Sequence, residues 1–437
     1  MIALDAVQLR RPLLRFDPAI PSQVDARPYP GLRRYGPFDT GGVRIRDDSL
    51  LLVFPARLAG VARELARAVI GGIGNYPGFE TMFRVPLSEA TAIVEVEVPL
   101  APGASREAAR EAYRSTMREW LIAPARAGVD LALVVVPESR AWETDSAYYE
   151  AKALLSAAGV PTQMVTAELA ADRERLTWSV ANLALAAFVK LGGVPWVVDV
   201  PDDERDLVLG VGRGDLASGE GGRRTFGYAV SFGSDGSYRH TWSFTPAASR
   251  RSYCERLGQA VLHALQDRER LAHAPTRLVF HFARRAGRAE IAAIRAAIEG
   301  SGMTLPAAFV RIDDSNLFDL LDYTSARLVP PQGVMVRLDE RTALLQSEGP
   351  GRLAPPRGPL LIELDRRSDV GPEALEGLVE QIMRLSAANW RGFNARSKPV
   401  TLVYGERLAQ LVAQLERVDS WRSETLGTDI GRRPWFL

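Results

Sequence analysis

From residue 49 to residue 191 the chain repeats one unit: a short run rich in valine and leucine, then a longer alanine-rich amphipathic segment. The apolar runs fall at 49–54, 92–98, 131–136 and 163–166, and the amphipathic segments at 56–70, 105–123, 145–158 and 173–191. Runs this short, bounded by helical segments, read as strands. Strands that alternate with helices have both faces covered by them, which implies a parallel sheet. Ser105, followed by Glu107, is placed to cap the second helix. This stretch therefore predicts one α/β domain of about 150 residues.

The pattern changes at Pro195-Trp-Val-Val-Asp-Val200. Residues 207–211 read as a buried strand, and 225–232 and 237–244 flank Gly233-Ser-Asp-Gly236 as a hairpin. A helix at 249–266 precedes strand 277–283, helix 288–299 and strand 308–312. Two strands near Arg327 and Val334, a strand at 359–364 and a helix at 372–387 follow. The apolar run 400–404 and a helix over 406–417 close the pattern. A meander of antiparallel strands followed by alternating helices is the order of a ribonuclease H-like domain. Residues 1–40 are proline-rich and predict an irregular segment that ends in Gly31-Leu-Arg-Arg-Tyr-Gly-Pro-Phe-Asp39.

Composition excludes several classes. The apolar fraction of 46% and charged fraction of 24% are those of a soluble globular protein. A net charge of +1 advertises no bulk attraction to nucleic acid or membrane, although arginines can still cluster into a local groove. Cys254 is the one cysteine, so neither an intramolecular disulfide nor a cysteine-cluster metal site can form. A single cysteine fits a reducing cytoplasm. Residues 1–16 contain Asp5, Arg10, Arg11 and Arg15 without a long apolar core, so they do not read as a signal peptide. No run of about 18 apolar residues exists to span a membrane.

Of the 54 basic residues counted as lysine or arginine, only Lys152, Lys190 and Lys398 are lysine. A lysine ammonium is a compact point charge with three donors, and it enters pockets that exclude the wide guanidinium fork. In Tyr148-Tyr-Glu-Ala-Lys152 the outer residues share one helix face just beyond the strand Leu131–Val136. Ligands of open α/β sheets bind beyond the carboxyl ends of the strands, near helix N-termini. There a tyrosine ring can stack on a base while the lysine reaches its phosphate. Gln163 opens the next strand, and Lys190 ends the next helix in Phe188-Val-Lys-Leu-Gly-Gly-Val-Pro-Trp196. Each piece also has an ordinary structural account, such as a lysine facing a helix C-terminus.

Taken together, these motifs resemble the MID domain of Argonaute proteins. Asn389-Trp-Arg-Gly-Phe393, Ser397-Lys-Pro-Val-Thr401 and the terminal Pro434-Trp-Phe-Leu437 are similar to the last part of a PIWI domain. With no PAZ or N domain ahead of the MID motifs, the chain resembles short prokaryotic Argonautes; Gly31–Asp39 and Asn75-Tyr-Pro-Gly-Phe79 look like motifs of that group. The resemblance implies a Rossmann-like MID domain over 41–195, a ribonuclease H-like PIWI domain over 196–437 and an N-terminal segment, 1–40, packed on the PIWI side. It assigns the guide 5′-phosphate to Tyr148, Lys152, Gln163 and Lys190. It folds the Leu437 carboxylate into the same pocket to help hold a divalent metal, Mg2+, on the phosphate. Ala186 stands where relatives carry a metal-binding glutamine one turn before the lysine, and Asn182, a further turn back, remains a polar contact. Asn389, Arg391, Arg396 and Lys398 would follow the guide backbone.

The same resemblance predicts that this chain does not cut. Gly212 and Ala283 occupy the positions of the first two metal-binding aspartates of active PIWI domains, and Glu406 alone cannot hold two metals. The implied role is a guide-binding subunit that carries a small RNA and recognises complementary single-stranded DNA. It would activate a partner with an APAZ domain fused to a TIR, Sir2 or nuclease effector. Two other readings stand beside it: a metal-dependent nuclease using Asp199, Asp215 and Glu406, and a regulator that binds nucleic acid without a guide. Residues 139–146 would set the preference for the first guide base.

Overall fold

The computed structural model describes residues 5–41, 43, 50–87, 93–123, 128–137, 145–217, 223–247, 250–267, 274–350, 358–394, 397–421 and 429–437. At 213–217, 223–226, 243–247, 250 and 429–430 it describes the backbone alone.

The strand–helix alternation forms a four-stranded parallel sheet in the order Ile93–Val98, Leu50–Pro55, Leu131–Val136, Thr162–Thr166. Its central strands are buried along their whole length because both faces are covered. Leu51, Val53, Val134 and Val136 face Tyr113, Met117 and Trp120 of the helix Arg106–Ile122. Leu50, Leu52, Leu133 and Val135 face the opposite core, with Leu65, Leu185 and Phe188. Ser105 caps the Arg106–Ile122 helix, accepting from the Ala108 amide at 3.2 Å.

The second unit centres on three antiparallel strands, Asp206–Ala217, Arg223–Gly233 and Tyr238–Ala247. Arg277–Phe282 runs parallel to the first of them, and Ala307–Asp313 runs parallel to Arg277–Phe282. Numbered along the chain, these five strands lie in the order 3-2-1-4-5 with the first three antiparallel, which is the ribonuclease H-like arrangement. The hairpin closes at Gly236, whose φ of 75° suits glycine, and Asp235 accepts from the Ser237 amide. Three further antiparallel strands, Leu360–Leu364, Thr342–Leu345 and Val334–Arg337, extend the sheet, and Ala6–Gln8 is its outermost strand. The sheet thus has nine strands among the described residues.

Residues 1–40 are more ordered than their proline content suggests. Pro28–Tyr35 is a helix, with proline in its first turn, where no amide partner is needed, and Gly36 ending it at φ 86°. Leu14–Arg15 pairs with both Val24–Asp25 and Val197–Val198, so this segment is tied to the junction between the two units. No strand forms near Arg327. The run 400–404 is not a separate element either. Helix Val400–Leu415 covers it and most of the predicted helix behind it, starting directly after Pro399. No described helix is long and apolar enough to cross a membrane.

Candidate nucleic-acid interface

The helix Ala147–Ala157 begins just beyond the strand Leu131–Val136, and Arg173–Lys190 ends against the strand Thr162–Thr166. Their two lysines meet at Thr162. Lys152 Nζ donates to Thr162 Oγ1 at 3.2 Å; Lys190 Nζ donates to the Thr162 carbonyl at 2.9 Å and to Gln163 Oε1 at 2.8 Å. Each lysine is 1% exposed, and neither has a carboxylate partner among the described residues. Burial pushes the Lys152 ammonium down to about 7. Lys190 is held well below its ordinary range by burial and then by the positive charge of Lys152. Two buried cations with only neutral acceptors leave a demand for an anion.

The chain terminus completes this pocket. The Trp435 carbonyl accepts a second bond from Lys152 at 3.2 Å, and the ammonium lies 5.5 Å from the Trp435 ring centre. Trp435 stacks on Trp421 and Phe436 packs edge-on against Tyr404, so the apolar tail is buried. Leu437 therefore ends the chain two residues from the lysine contact. Its carboxylate makes no ion pair among the described residues.

A further cation, Arg407, lies near Tyr148, on the helix that carries Lys152. Burial and the nearby Arg391 charge push Arg407 down to about 10, while desolvation lowers Arg391, although that residue is exposed at the surface. Neither guanidinium has a hydrogen-bonded or ion-paired partner among the described residues. Tyr148 lies partly buried beside Arg407, edge-on to Tyr149, and burial raises its phenol strongly. Arg407 has no sequence signature of its own, because a lone arginine after Glu406 in Tyr404-Gly-Glu-Arg-Leu408 reads as an ordinary helix-surface residue. Thr162 escaped the sequence reading because a threonine that accepts from two lysines has no sequence signature.

The other predicted contacts separate into two groups. Asn389 and Arg391 lie in a loop fixed from several sides: Asn389 Oδ1 accepts from the Arg391 amide, Tyr404 accepts from the Trp390 amide, and the Trp390 indole donates to the Trp196 carbonyl. Asn182 does not face the lysines; its Oδ1 accepts from the Phe393 amide at 3.2 Å and ties the parallel unit to this loop. Arg396 lies outside the described residues, as does most of 139–146. Lys398 is committed elsewhere, at 2.6 Å from Asp314 and 2.9 Å from Glu406. Burial lowers its charge affinity, but the two carboxylates outweigh burial and raise it.

That ammonium sits among the residues where a cutting centre is expected. The Tyr228 side chain fills the space between Gly212 and Gly405, so a Cβ at either position would overlap its ring or hydroxyl. His281, fully buried, bonds Thr401 Oγ1 through Nδ1 at 2.9 Å and is pushed down to about 3 by burial. Ala283 is exposed and offers no ligand. Asp199 pairs with Arg15 at 2.9 Å and Glu406 with Lys398; the Asp215 side chain is outside the description. Among the described residues no three His, Cys, Asp or Glu side chains lie close enough to hold a metal ion. Two acidic stretches of the sequence, Asp202-Asp-Glu204 and Asp313-Asp314, are engaged as well: Glu204 with Arg384, Asp313 with Arg311.

A Piwi domain family matches residues 132–301, a range that begins on the parallel sheet and ends after the fourth ribonuclease H strand. The chain is similar to the protein argonaute of Cereibacter sphaeroides, at 28% identity over 93% of this chain. The chain thus carries a match to the Piwi domain and is similar to an Argonaute over nearly its whole length. It is also similar to the Piwi protein of Archaeoglobus fulgidus, at 23% identity over 71% of this chain and 75% of that protein. Among solved structures it shares its fold with Clostridium butyricum Argonaute bound to a guide DNA (5′ deoxycytidine) and a 19-mer target DNA. The TM-score is 0.68 at 16% identity over 94% of this chain. The chain spans 56% of the Cereibacter protein and 53% of the Clostridium chain.

Proposed function

We propose that this chain binds the 5′-phosphate of a small guide, an RNA, at Lys152, Lys190 and Gln163, and presents the guide for pairing with single-stranded DNA. The observation that carries the reading is the pair of buried ammonium groups with no carboxylate between them. A phosphate supplies the missing charge, accepts charge-assisted hydrogen bonds and restores the protonated state that burial opposes. Tyr148 would offer a ring for the first base, and Arg391 and Arg407 would meet further phosphates, contacts that position a strand without reading its sequence. Sequence is then read by base pairing.

The Leu437 carboxylate would add one anionic donor to this pocket, and Ala186 adds none. A divalent cation such as Mg2+ fits only with guide phosphates as further ligands, where it would neutralise them; the chain's own donors are too few to hold it alone.

We further propose that the chain binds without cutting. Tyr228 occupies the space of a ligand at Gly212, and the Lys398 ammonium neutralises the two nearby carboxylates. Effector chemistry then belongs to a partner of the APAZ type with a TIR, Sir2 or nuclease effector, in a short prokaryotic Argonaute system acting in cytoplasmic defence. The test is purification of the chain from its source cell, with and without the product of the neighbouring reading frame, and sequencing of what is bound. Short 5′-phosphorylated RNA is expected. Nucleic acid without a length class or a 5′-phosphate would favour a regulator that uses no guide. Target cleavage that disappears in Glu406→Gln would favour the nuclease.

A further inference from the structure

Among the described residues ten large apolar side chains are exposed, and five of them fall within twelve residues: Leu317, Phe318, Leu321, Tyr323 and Leu328. Leu317 is fully exposed and Tyr323 is 83% exposed. Apolar side chains scattered singly at a surface are ordinary, but a cluster of this size marks a surface built to be covered. The segment joins the strand Ala307–Asp313 to the strand Val334–Arg337.

The segment is held in shape. Asn316 Nδ2 donates to the Asp313 carbonyl at 2.9 Å and to the Pro359 carbonyl at 2.8 Å, while its Oδ1 accepts from the Phe318 amide at 3.0 Å. Further on, the Asp322 amide donates to the Leu328 carbonyl and the Leu328 amide to the Ser325 carbonyl, which closes a second turn. Leu328 sits there at a φ of 56°, a conformation that bulky residues rarely take. Strain of this kind persists only where the surrounding structure enforces it, and it clusters at functional sites.

Charge and backbone together select the class of occupant. Asp313, Asp314, Asp319 and Asp322 stand against Arg327 in this stretch. Arg311 takes Asp313 and Lys398 takes Asp314, so Asp319 and Asp322 are left with no cationic partner among the described residues. Carboxylates among exposed rings disfavour a phosphate backbone or an anionic lipid surface and favour a partner with basic side chains. The segment then runs to the outermost strand, where Gln8 Nε2 donates to the Gln332 carbonyl at 2.9 Å. The Asp5 carbonyl and the Leu9 amide are spent on Arg337 and Gly333, so Ala6 and Gln8 between them turn their backbone groups outward. No strand pairs with that edge among the described residues, and Val7 is 39% exposed beside it. An open strand edge is a template for polypeptide.

We propose that residues 316–328, with the open edge of Ala6–Gln8, form the docking surface for a protein partner that offers an apolar cleft bordered by basic side chains. This rests on the partner reading above, so the protein is the product of the neighbouring reading frame.

The test titrates the full chain with that purified product, over a series of salt concentrations. Leu317→Asp/Tyr323→Ser alters two side chains that are almost wholly exposed, so the melting temperature should not change. The variant should lose about tenfold or more in affinity for the partner, as hot-spot side chains do. Its affinity for a 5′-phosphorylated guide and for a paired target should stay within about twofold of wild type. Asp319→Lys should weaken the complex and flatten its salt dependence. Unchanged partner affinity in Leu317→Asp/Tyr323→Ser overturns the proposal. So does a loss of guide or target affinity equal to the loss of partner affinity, which would make these side chains part of a nucleic-acid surface. Sedimentation of the chain alone supplies a further outcome: a wild-type dimer that the variant converts to monomer gives the surface to a second copy and overturns the proposal. If wild type holds guide but does not bind the neighbouring product, the partner reading itself fails and takes this proposal with it.

Discussion

Lysine occurs in two opposite settings in this molecule. Lys152 and Lys190 are buried among hydroxyl, carbonyl and amide oxygens, and their protons are held loosely. Lys398 is half-buried between Asp314 and Glu406, and its proton is held more tightly than usual. The first setting is an unfilled electrostatic demand; the second is a demand already met within the chain. Residue type is the same, so the partners decide which lysine binds a ligand and which braces the fold.

The largest effects should come from the unfilled site. Lys152→Ala and Lys190→Ala are each expected to weaken binding of a 5′-phosphorylated guide by about 1.5–3 kcal/mol, the scale of a lost hydrogen bond to a charged group. Titration of labelled guide checks this. With both ammonium groups proposed to meet one phosphate, the double variant should lose less than the sum.

Next in size is a steric prediction at the met site. Gly212→Asp places a side chain where Tyr228 already packs, and overpacking of this kind costs about 1–3 kcal/mol. Chemical denaturation should show that loss, and the variant should not cut a paired target even with Ala283→Asp added. Restored cleavage would mean that the plugged geometry yields easily.

The smallest effect concerns the lysine brace. Since Asp314 and Glu406 are more than a third exposed, the Lys398–Glu406 coupling in a double-mutant cycle should be only about 0.5–1 kcal/mol. Guide affinity should stay within twofold of wild type in Lys398→Met, at about the precision of such titrations. A large loss would return Lys398 to the guide path that its motif suggested.

Proton linkage separates the two settings without a ligand. Lys152 has a folded-state pKa near 7, below its unfolded value of about 10.4. Between those values the unfolded chain binds more protons, so stability of the ligand-free protein should rise with pH from about 7 to about 10. Lys152→Met should reduce that rise and leave the part due to Lys190, whose proton is also held loosely. A bound phosphate keeps the ammonium charged, so guide affinity should fall over the same range. Melting curves at several pH values, with and without guide, check the sign.

Much of this was legible in the sequence. The strand–helix alternation and the glycine-closed hairpin state the fold, because burial on two faces and a positive φ leave direct marks on residue choice. Tyr148, Lys152, Gln163 and Lys190 were singled out by the resemblance their motifs carry, and the structure brings Lys152, Gln163 and Lys190 together at Thr162. The N-terminal helix was hidden by prolines that sit in its first turn, where their missing amide costs nothing. Asn182 and Lys398 have partners within the chain that the sequence did not show. A polar side chain near a site is indistinguishable in sequence from one in it, and only the Phe393 amide and the Asp314 carboxylate show where each is spent. Arg407 depends on contacts among helices and strands distant in the chain.

The central claim is that the uncompensated lysine pair exists to hold a phosphate. Equilibrium binding of one guide sequence, prepared with a 5′-phosphate and with a 5′-hydroxyl, tests it most directly. The account predicts that the phosphorylated guide binds about a hundredfold more tightly, and that this difference collapses in Lys152→Ala/Lys190→Ala. Equal affinity of the two guides for the unaltered protein would contradict it.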